Sequence, residues 1–429
     1  MRIQDRYAAR TKGRRTSIIR DLMKVATLPG MISLGGGYPS PKTFPVEQVT
    51  LNVWDGQVQL AGAELVTACQ YGPSEGIAAL IERILEWHHA KSGVELEPER
   101  LCVLNGSQEG LFALSYLFLD PGDTVALAEP TYPGAVAAFT AFTDNFLSIP
   151  QDRDGMKADA LSEYVRRRER KGMSKPKFVY LNPNCQNPAG ISMSPARRRE
   201  ILEVCERHDL LIVEDDPYEL LKFRKADRHP TIQSMDEGDR VIRLDSFSKV
   251  FVPGLRVGYV SGPRDLIRDI RIYKQGANLH TSSFDQSVLA TAMRQLGTSG
   301  LFGLIEKNVA FYAHNCQTLM DALESVLGSQ VSYNRPDGGF FLWLELKESE
   351  GPIDTFEMIG TLAEQMGVLL IPGTGFSLTG QLRNCLRVSY SMQSPENLQE
   401  GVRRLGKMLG EYRKLREQQA SGVERRTDG

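Results

Sequence analysis

A lysine preceded by two hydroxyl groups is the part of this chain best equipped for chemistry. Ser246 and Ser248 precede Lys249, and Arg256 follows it by seven residues. A lysine ε-amine can form a Schiff base with an aldehyde, while hydroxyls and a guanidinium can hold a phosphate. Short clusters of this kind are usually solvated surface, but this one follows Val241–Leu244, an apolar run typical of a strand. The segment therefore indicates a pocket for pyridoxal 5′-phosphate, which carries both an aldehyde and a phosphate.

Two more polar groups follow apolar runs upstream of this lysine. Ser107 and Gln108 come soon after Leu101–Leu104 and open a helical pattern, where free backbone N–H groups favour a phosphate. An ordinary capping serine explains Ser107 equally well. Tyr132 comes after Thr124–Ala128 and can either stack on an aromatic cofactor ring or pack in the core. Their positions after successive predicted strands favour the cofactor interpretation.

Two further runs end in groups that suit a pyridine ring. Asn187 lies in the loop after Phe178–Leu181 and can donate to a phenolate oxygen, although turn formation also explains this loop. Asp215 ends the run that begins at Leu211, and Tyr218 follows it. Burying a carboxylate without a partner is costly. A pyridinium N–H would be such a partner, with the Tyr218 hydroxyl near the phenolic oxygen. A Mg²⁺ site is the alternative for these adjacent acids.

An arginine near the C-terminus is a candidate for binding a substrate carboxylate. Arg387 lies in a strand-like run, Cys385–Ser389, where its neighbours are mostly apolar. A guanidinium in this setting can bind an α-carboxylate through two parallel hydrogen bonds. A salt bridge at the edge of a sheet is the alternative.

Six apolar runs alternate with helical patterns between residues 75 and 300. The predicted strands are Leu101–Leu104, Thr124–Ala128, Phe178–Leu181, Leu210–Val213, Val241–Leu244 and Val257–Ser261. This alternation is typical of an α/β fold in which helices sandwich a mainly parallel sheet. Ligands of such sheets bind beyond the carboxyl ends of the strands, which is where the candidate side chains lie.

The sequence also predicts a division of the chain into parts. Residues 1–45 are expected to form an N-terminal arm and linker, and residues 46–298 a large cofactor-binding domain. Residues 299–411 are expected to form a smaller α+β domain that opens with a long helix over 301–327. The polar segment 412–429 is expected to be a disordered tail.

Composition argues against several classes of partner. The formal net charge is −2 and the pI is near 6.4, so nothing indicates nucleic acid or an anionic membrane. No run of 18 apolar residues occurs, and the N-terminus lacks an apolar signal segment, which predicts a cytoplasmic protein. Basic residues near the N-terminus leave a mitochondrial transit peptide open. The six cysteines lack CxxC spacing and the six histidines do not cluster, so we expect reduced thiols and no metal site.

Taken in their order along the chain, the motifs described above resemble those of the fold-type I pyridoxal phosphate enzymes, specifically the aspartate aminotransferase superfamily. The resemblance extends from about residue 16 to about residue 410. Besides the lysine motif, it rests on four segments, Ser33–Pro39, Gln70–Gly76, Asn187-Pro188 and Glu214–Tyr218. Within the superfamily, the chain resembles the branch that contains 2-aminoadipate, kynurenine and aromatic aminotransferases.

The resemblance implies a role for each candidate residue. Lys249 would carry the cofactor as a Schiff base, and Asp215 would keep the pyridine nitrogen protonated. Tyr132 would stack on the ring, while Asn187 and Tyr218 would face its phenolic oxygen. The side chains that would hold the phosphate are Ser107, Gln108, Ser246, Ser248 and Arg256.

It also implies a substrate site and a dimer. Substrate binding would involve Arg387, Asn187, Arg20, Gly36 and Tyr38. Of these, Arg387 would hold the α-carboxylate and Arg20 would meet the distal end of the substrate. Tyr71 would reach the phosphate of the neighbouring subunit, so that a homodimer would share its active sites. The chain departs from many relatives at Ala189, where they have threonine, and in its three consecutive glycines, and this leaves the substrate open.

The expected function is transamination with pyridoxal 5′-phosphate. The amino group of an aromatic, 2-aminoadipate-like or long aliphatic L-amino acid would pass to a 2-oxo acid, most plausibly 2-oxoglutarate. Another reaction on the same scaffold, such as elimination, decarboxylation or oxidation, is the first alternative. A regulatory protein that keeps this domain as a sensor is the second. The combination of Lys249, Asp215 and Arg387 favours catalysis over sensing.

Overall fold

Two β-sheets and a hairpin organise this computed structural model, which describes residues 3–11, 13, 30–31, 34–35, 37–53, 56–225, 228–349 and 351–427. The strands are β1 (Gln48–Val53), β2 (Gly56–Ala61), β3 (Leu101–Leu104), β4 (Thr124–Glu129), β5 (Asn145–Asp152), β6 (Gly155–Met156), β7 (Phe178–Leu181), β8 (Leu211–Asp215), β9 (Val241–Ser246), β10 (Gly258–Ser261), β11 (Val331–Tyr333), β12 (Phe341–Leu346), β13 (Ile371–Pro372) and β14 (Cys385–Ser389). Strands β1 and β2 form the hairpin, β3 to β10 the large sheet, and β11 to β14 the small sheet.

The large sheet has the strand order β3-β10-β9-β8-β7-β4-β5-β6. Neighbouring strands from β9 through β5 are parallel, whereas β10 is antiparallel to both β3 and β9, and β6 is antiparallel to β5. The predicted α/β fold with a mainly parallel sheet is therefore confirmed. All six predicted strands belong to this sheet, and their bounds agree with the prediction to within two residues.

Helices cover both faces of the large sheet. The helices are α1 (Gly62–Cys69), α2 (Ala78–Ser92), α3 (Ser107–Phe118), α4 (Pro133–Thr140), α5 (Ala158–Arg170), α6 (Pro195–Arg207), α7 (Ile232–Met235), α8 (Arg264–Ala277), α9 (Ser283–Val326), α10 (Thr355–Met366) and α11 (Pro395–Thr427). One face packs against α3, α4 and α8, and the other against α5, α6 and α7. Because both faces are buried, the strands are nearly continuous apolar runs, and this is why they were predictable.

Alternation along the strands decides which face each side chain joins. In β8, Leu211 and Val213 pack towards α3 and α4, whereas Ile212 packs towards α5 and α6. Asp215 therefore continues the first face, and Glu214 continues the second. The side chains of the adjacent acids Glu214 and Asp215 therefore lie on opposite faces of the sheet.

Four strands of the hairpin and the large sheet were not predicted, namely β1, β2, β5 and β6. The hairpin strand β1 is almost entirely exposed, so it lacks the apolar alternation of a buried strand. Strand β5 contains Pro150 and lies near the edge of the large sheet, where it pairs with the two-residue strand β6. A proline usually argues against a strand in the middle of a sheet.

The C-terminal region forms the small sheet, with the order β11-β12-β14-β13 and antiparallel pairing throughout. Helices α9, α10 and α11 pack against it in one apolar cluster. The helix expected over 301–327 corresponds to the second part of α9, which begins at Ser283, is interrupted at Gly297, where φ is 60°, and ends at Val326.

The segment 412–429, expected to be a disordered tail, overlaps α11, which extends to Thr427. Tyr412 is buried in the C-terminal cluster, and its hydroxyl donates to Oε2 of Glu357 at 2.7 Å. These contacts anchor the helix at the point where the sequence becomes polar. The residue ranges predicted for the individual domains stay predictions.

All six cysteines are free thiols. Among the described residues, none of the helices combines the length and the apolar character that a membrane span needs.

Candidate active site

The end of β8 presents a buried carboxylate whose hydrogen bonding is incomplete. Asp215 is 3% exposed, and the hydroxyl of Tyr180 on β7 donates to its Oδ2 at 2.9 Å. Its Oδ1 is buried and makes no hydrogen bond to any described residue. Burial raises the pKa of Asp215 to about 7, although the hydroxyls of Tyr180 and Ser107 lower it in part. A cationic N–H at Oδ1 would supply the missing donor and favour the ionised form, so this position fits a pyridinium nitrogen.

Lys249 lies in the loop between β9 and β10, and its amine loses its proton more easily than an ordinary lysine. Burial and the nearby Arg256 guanidinium lower the pKa of Lys249, while Asp215 acts in the opposite direction. Its Nζ lies 5.7 Å from the centre of the Phe340 ring. A neutral amine is a nucleophile and a base, so this lysine can attack an aldehyde or take up a proton.

A basin suited to an anion lies between the start of α3 and the loop after β9. Gly106 precedes α3 with a φ of 71°, and a Cβ atom there would lie 2.5 Å from Nη2 of Arg256. Arg256 donates from Nη1 to Oγ of Ser248 at 3.1 Å, and the N–H of Ser248 donates to Oγ of Ser246 at 3.1 Å. Oγ of Ser107 is buried without a hydrogen bond to the described residues. Helix N–H groups, hydroxyls and a guanidinium together fit a phosphate.

Tyr132 places a phenol ring at the start of α4. It is the residue that caps this helix, and a Cβ atom at Gly134 would lie 2.4 Å from its ring, so glycine leaves the ring room. Burial and the Asp215 carboxylate raise the pKa of Tyr132. Gln108 is exposed and donates from Nε2 to the carbonyl oxygen of Gly134 at 2.8 Å, so its side chain is directed towards α4.

Tyr218 adds a second phenol from the segment after β8. It is buried, and its ring centre lies 5.7 Å from that of Phe340 and 6.3 Å from that of Phe341. Burial raises its pKa, so its hydroxyl remains a hydrogen-bond donor at neutral pH.

Arg387 reaches the same region from β14. Its Nη1 donates to Oδ1 of Asn187 at 3.0 Å, which leaves the amide N–H₂ of Asn187 available as a donor. The guanidinium carbon lies 4.3 Å from the ring centre of Phe341 and 5.0 Å from that of Phe376. Its Nε is buried and has no acceptor within the described part of the chain. Burial lowers the pKa of Arg387, so a carboxylate here would provide both an acceptor and a compensating charge.

Contacts between the two sheets hold Arg387 against the large sheet. The N–H of Thr131 donates to the carbonyl oxygen of Phe376 at 3.0 Å. Glu129 at the end of β4 accepts a hydrogen bond from the hydroxyl of Thr379 at 2.7 Å. The segment after β13 is thereby tied to the strand that leads to the ring at the start of α4.

The structure brings most of the predicted site residues into one region. They are Ser107, Tyr132, Asn187, Asp215, Tyr218, Ser246, Ser248, Lys249, Arg256 and Arg387. Tyr38 and Tyr71 are instead exposed on this single chain, with ring centres 6.1 Å apart. Arg20 and Gly36 lie outside the described residues.

Sequence reasoning missed two residues that contact this region. Tyr180 bonds to the carboxylate of Asp215, and the alternation of β7 and β8 was a signal for it, because Tyr180 pairs with Val213. Phe376 lies against Arg387 but comes from a short 3₁₀ turn, and nothing in its local sequence marks it.

The opposite face of β8 and β9 carries charges that form ion pairs within the protein. Arg243 is fully buried, and Lys91 is nearly so. We refer to these two cations and their four carboxylate partners as the buried ion cluster. Its carboxylates are Glu214, Asp216, Glu219 and Asp245. Two of these acids flank Asp215 in sequence and had suggested a Mg²⁺ site as an alternative, but here both form ion pairs with Arg243.

Comparison with known proteins places this geometry among aminotransferases. The family model described as aminotransferase class I and II matches residues 40–405. The chain is 33% identical over 410 residues to aromatic-amino-acid aminotransferase 1 of Thermococcus litoralis, covering 95% of each chain. It is 33% identical over 420 residues to the mitochondrial kynurenine/alpha-aminoadipate aminotransferase of Bos taurus, covering 94% of this chain and 98% of that one.

Solved structures give the same result. The alpha-aminoadipate aminotransferase of Thermus thermophilus, complexed with N-(5′-phosphopyridoxyl)-L-leucine, superposes with a TM-score of 0.72 at 32% identity. The match covers 95% of this chain and 98% of that one. The ligand of that structure is a pyridoxal phosphate adduct of an amino acid.

Proposed function

Because the chain belongs to the aminotransferase class I and II family and is therefore a pyridoxal-phosphate-dependent transaminase, we propose its substrates and the roles of its residues. The amino donor is an L-amino acid with an aromatic, 2-aminoadipate-like or long aliphatic side chain, and the acceptor is 2-oxoglutarate. The observation that carries this proposal is the position of Arg387. Among the described residues, none accepts a hydrogen bond from its Nε, and its guanidinium lies close to two phenyl rings.

The cofactor would be held at three points. Lys249 would bind its aldehyde, and Oδ1 of Asp215 would accept the pyridinium N–H. The basin around Gly106 and Arg256 would hold its phosphate, because it combines a helix start with a guanidinium. When bound, pyridoxal phosphate withdraws electrons from the substrate Cα and stores the amino group.

The chain's own residues would orient the substrate and move its proton. Arg387 would bind the α-carboxylate through a bidentate contact. Lys249 would remove the Cα proton, because its lowered pKa gives it more of the neutral form at working pH. The hydroxyl of Tyr218 and the amide of Asn187 would donate to the phenolic oxygen of the cofactor.

The substrate class is supported by the aromatic lining near Lys249 and Arg387. Phe340 faces the lysine amine, while Phe341 and Phe376 lie on the arginine. Such surfaces suit an apolar or aromatic side chain. Relatives that carry aromatic and kynurenine or α-aminoadipate names support the same class.

We also propose a cytoplasmic homodimer that shares its active sites. Tyr71 is 57% exposed on the single chain, and in the dimer it would reach the phosphate of the neighbouring subunit. Other large apolar side chains are exposed as well, including Leu51, Val66, Leu279 and Phe284. Sedimentation of the purified protein at twice the mass of one chain is expected, and a monomeric mass with full activity would contradict the shared site.

The test of the reaction is a half-reaction in the absence of any 2-oxo acid. The enzyme loaded with pyridoxal phosphate is mixed with single amino acids, and its cofactor absorbance is followed. We expect a lasting loss of the absorbance of the lysine-bound cofactor, with pyridoxamine phosphate appearing, fastest for aromatic and 2-aminoadipate-like donors. Return of the band with release of ammonia, CO₂ or peroxide would instead indicate elimination, decarboxylation or oxidation.

A further inference from the structure

We propose that Tyr180 is a positioning residue for the cofactor, because its hydrogen bond to one oxygen of Asp215 fixes the plane of the carboxylate and leaves the other oxygen to face the pyridine nitrogen. The inference rests on the cofactor site proposed above. It starts from the unequal oxygens of one buried carboxylate. Oδ2 accepts the Tyr180 hydroxyl at 2.9 Å, whereas Oδ1 is buried and makes no hydrogen bond to the described residues.

The position of Tyr180 is fixed by the sheet. It pairs with Val213 in the parallel register of β7 and β8, two residues before Asp215, so both side chains lie on one face. Tyr180 is 2% exposed, and its ring centre lies 5.7 Å from that of Phe139 in an edge-to-face arrangement. A ring packed in this way cannot turn without disturbing the core.

The backbone of Asp215 is held as well. Nδ2 of Asn182, just after β7, donates to the carbonyl oxygen of Asp215 at 2.6 Å. The remaining freedom of Asp215 is rotation of its carboxylate plane about the Cβ–Cγ bond. The Tyr180 hydroxyl restricts this rotation, because turning the plane away from Tyr180 would break the hydrogen bond. A pyridinium N–H then meets an oxygen that is already in place.

The same hydrogen bond also favours the charged form of Asp215. A buried carboxyl tends to take up a proton because burial penalises the anion, and a donor to the anion opposes this. Without the Tyr180 hydroxyl, a larger fraction of Asp215 would be protonated and would contribute less attraction for a pyridinium. Tyr180 should therefore act on cofactor binding entirely through Asp215.

The first experiment titrates the apoprotein with pyridoxamine 5′-phosphate and follows protein fluorescence. This probe lacks the aldehyde, so its affinity contains no bond to Lys249. We expect Tyr180→Phe to raise its dissociation constant about tenfold, since hydrogen bonds to charged groups are among the stronger ones. Tyr164→Phe, a half-buried tyrosine on α5 beyond the opposite face of the sheet, is the matched control and should bind like the wild type.

The second experiment repeats the substitution in an Asp215→Ala background. If Tyr180 acts through Asp215, Tyr180→Phe should change the dissociation constant there by less than about twofold. The same tenfold loss in both backgrounds would overturn the proposal, because it would show a structural effect independent of Asp215. Thermal melting of each apoprotein establishes that the variants are folded before titration.

The two proposals fail in different ways. Wild-type apoprotein that does not bind pyridoxamine 5′-phosphate at all would overturn the proposed cofactor site and this inference with it. Wild-type protein that binds, together with a Tyr180→Phe variant of equal affinity, would overturn only the role of Tyr180.

Discussion

On one face of β8 and β9, the buried ion cluster pairs two cations with four carboxylates, whereas on the other face one oxygen of Asp215 has no hydrogen-bond partner among the described residues. Arg243 and Asp215 are both buried, and burying a charge is costly on either face. The protein's own ion pairs offset this cost on the first face, whereas a bound ligand would offset it on the face of Asp215. This difference separates a structural set of charges from a functional one, although neighbouring residues of the same two strands supply both.

In the buried ion cluster, the protein's own charges overcome the effect of burial. Despite burial, Asp245 and the other carboxylates raise the pKa of Arg243 well above its usual range. Arg243 and Lys91 hold the pKa of Asp245 below its usual range, again against burial. Asp216 is the exception, because burial still raises its pKa to about 6. Most of these groups are therefore fixed in their charged forms at neutral pH.

In the candidate site, burial prevails. It raises the pKa of Asp215 to about 7 and lowers the pKa values of Lys249 and Arg387. Each group is shifted towards its neutral form, and each would gain from an opposite charge supplied by cofactor or substrate. Perturbed pKa values of this kind are typical of functional sites. The comparison indicates that uncompensated burial, rather than burial itself, marks the site.

Removing the reactive amine should have the largest effect. We expect Lys249→Ala to lower kcat/KM by a factor on the order of 10⁴ or more, because it removes the general base. The measurement is release of the 2-oxo acid product by the purified variant. Lys407→Ala removes an exposed lysine on α11 and should keep normal activity. Sustained turnover by the Lys249→Ala enzyme would contradict the assignment.

On the other face, the largest effect should follow loss of the central cation. Arg243→Met leaves four carboxylates around a fully buried position, so we expect the free energy of unfolding to fall by roughly 3–5 kcal/mol. Urea unfolding measures this change. Arg294→Met removes an exposed arginine paired with Glu64 and should cost at most about 1 kcal/mol. An equal loss of unfolding free energy in the two variants would contradict the expected difference between buried and exposed ion pairs.

Asp215→Asn should separate stability from function. In the wild-type apoprotein, the pKa of Asp215 is about 7 when folded and about 4 when unfolded, so the ionised carboxylate opposes folding above pH 7. The variant apoprotein should therefore be more stable at pH 8, by on the order of 1–2 kcal/mol. Its kcat should fall by about two orders of magnitude or more, because a neutral amide cannot stabilise a pyridinium.

The stability that Asp215→Asn gains at pH 8 should depend on pH, because the pKa of Asp215 is raised on folding. As pH falls from 7 to about 4, Asp215 becomes protonated in the folded wild type, so the advantage of Asp215→Asn should disappear. Asp245→Asn should behave in the opposite way and destabilise the protein at pH 8, because the pKa of Asp245 is lowered on folding. Thermal melting of the apoproteins between pH 4 and pH 8 compares the two. A loss of stability for both at pH 8 would contradict the contrast between the faces.

The smallest effect is expected at the phosphate basin. A side chain at Gly106 would meet the Arg256 guanidinium, so Gly106→Ala should raise the dissociation constant of pyridoxamine 5′-phosphate roughly tenfold. Gly122→Ala is the matched control, because Gly122 also has a positive φ of 84° but has open space around its Cα. Both variants carry the backbone strain of alanine in this conformation, and only the first should weaken binding.

The sequence was sufficient to predict six of the eight strands of the large sheet but not every element around them. Strands buried on both faces, such as Phe178–Leu181, are continuous apolar runs that stand out from their surroundings. The exposed strand β1 and the proline-containing strand β5 carry no such pattern. Helix α11 extends into the segment that was expected to be disordered from residue 412, because Tyr412 is buried against residues distant in sequence.

The candidate site shows the same division. Residues that follow strands, such as Lys249 and Asp215, were predicted because loops at the carboxyl ends of parallel strands carry function. The buried residues that contact them or their neighbouring carboxylates were not predicted. Tyr180 and Arg243 lie within apolar runs and were interpreted as ordinary strand residues. Their contacts join neighbouring strands, and a single sequence contains no direct record of which residues meet across a sheet.

The alternation of β8 has a consequence for how this strand can change in evolution. Glu214 and Asp215 lie on opposite faces and are one peptide unit apart. A deletion or insertion of one residue upstream in β8 would exchange them, turning the acid that Arg243 neutralises towards the cofactor and moving Asp215 into the buried ion cluster. Both residues are carboxylates, so composition would be preserved while both functions were lost. Strand β8 should therefore tolerate exchange of its apolar residues far better than any change in its length.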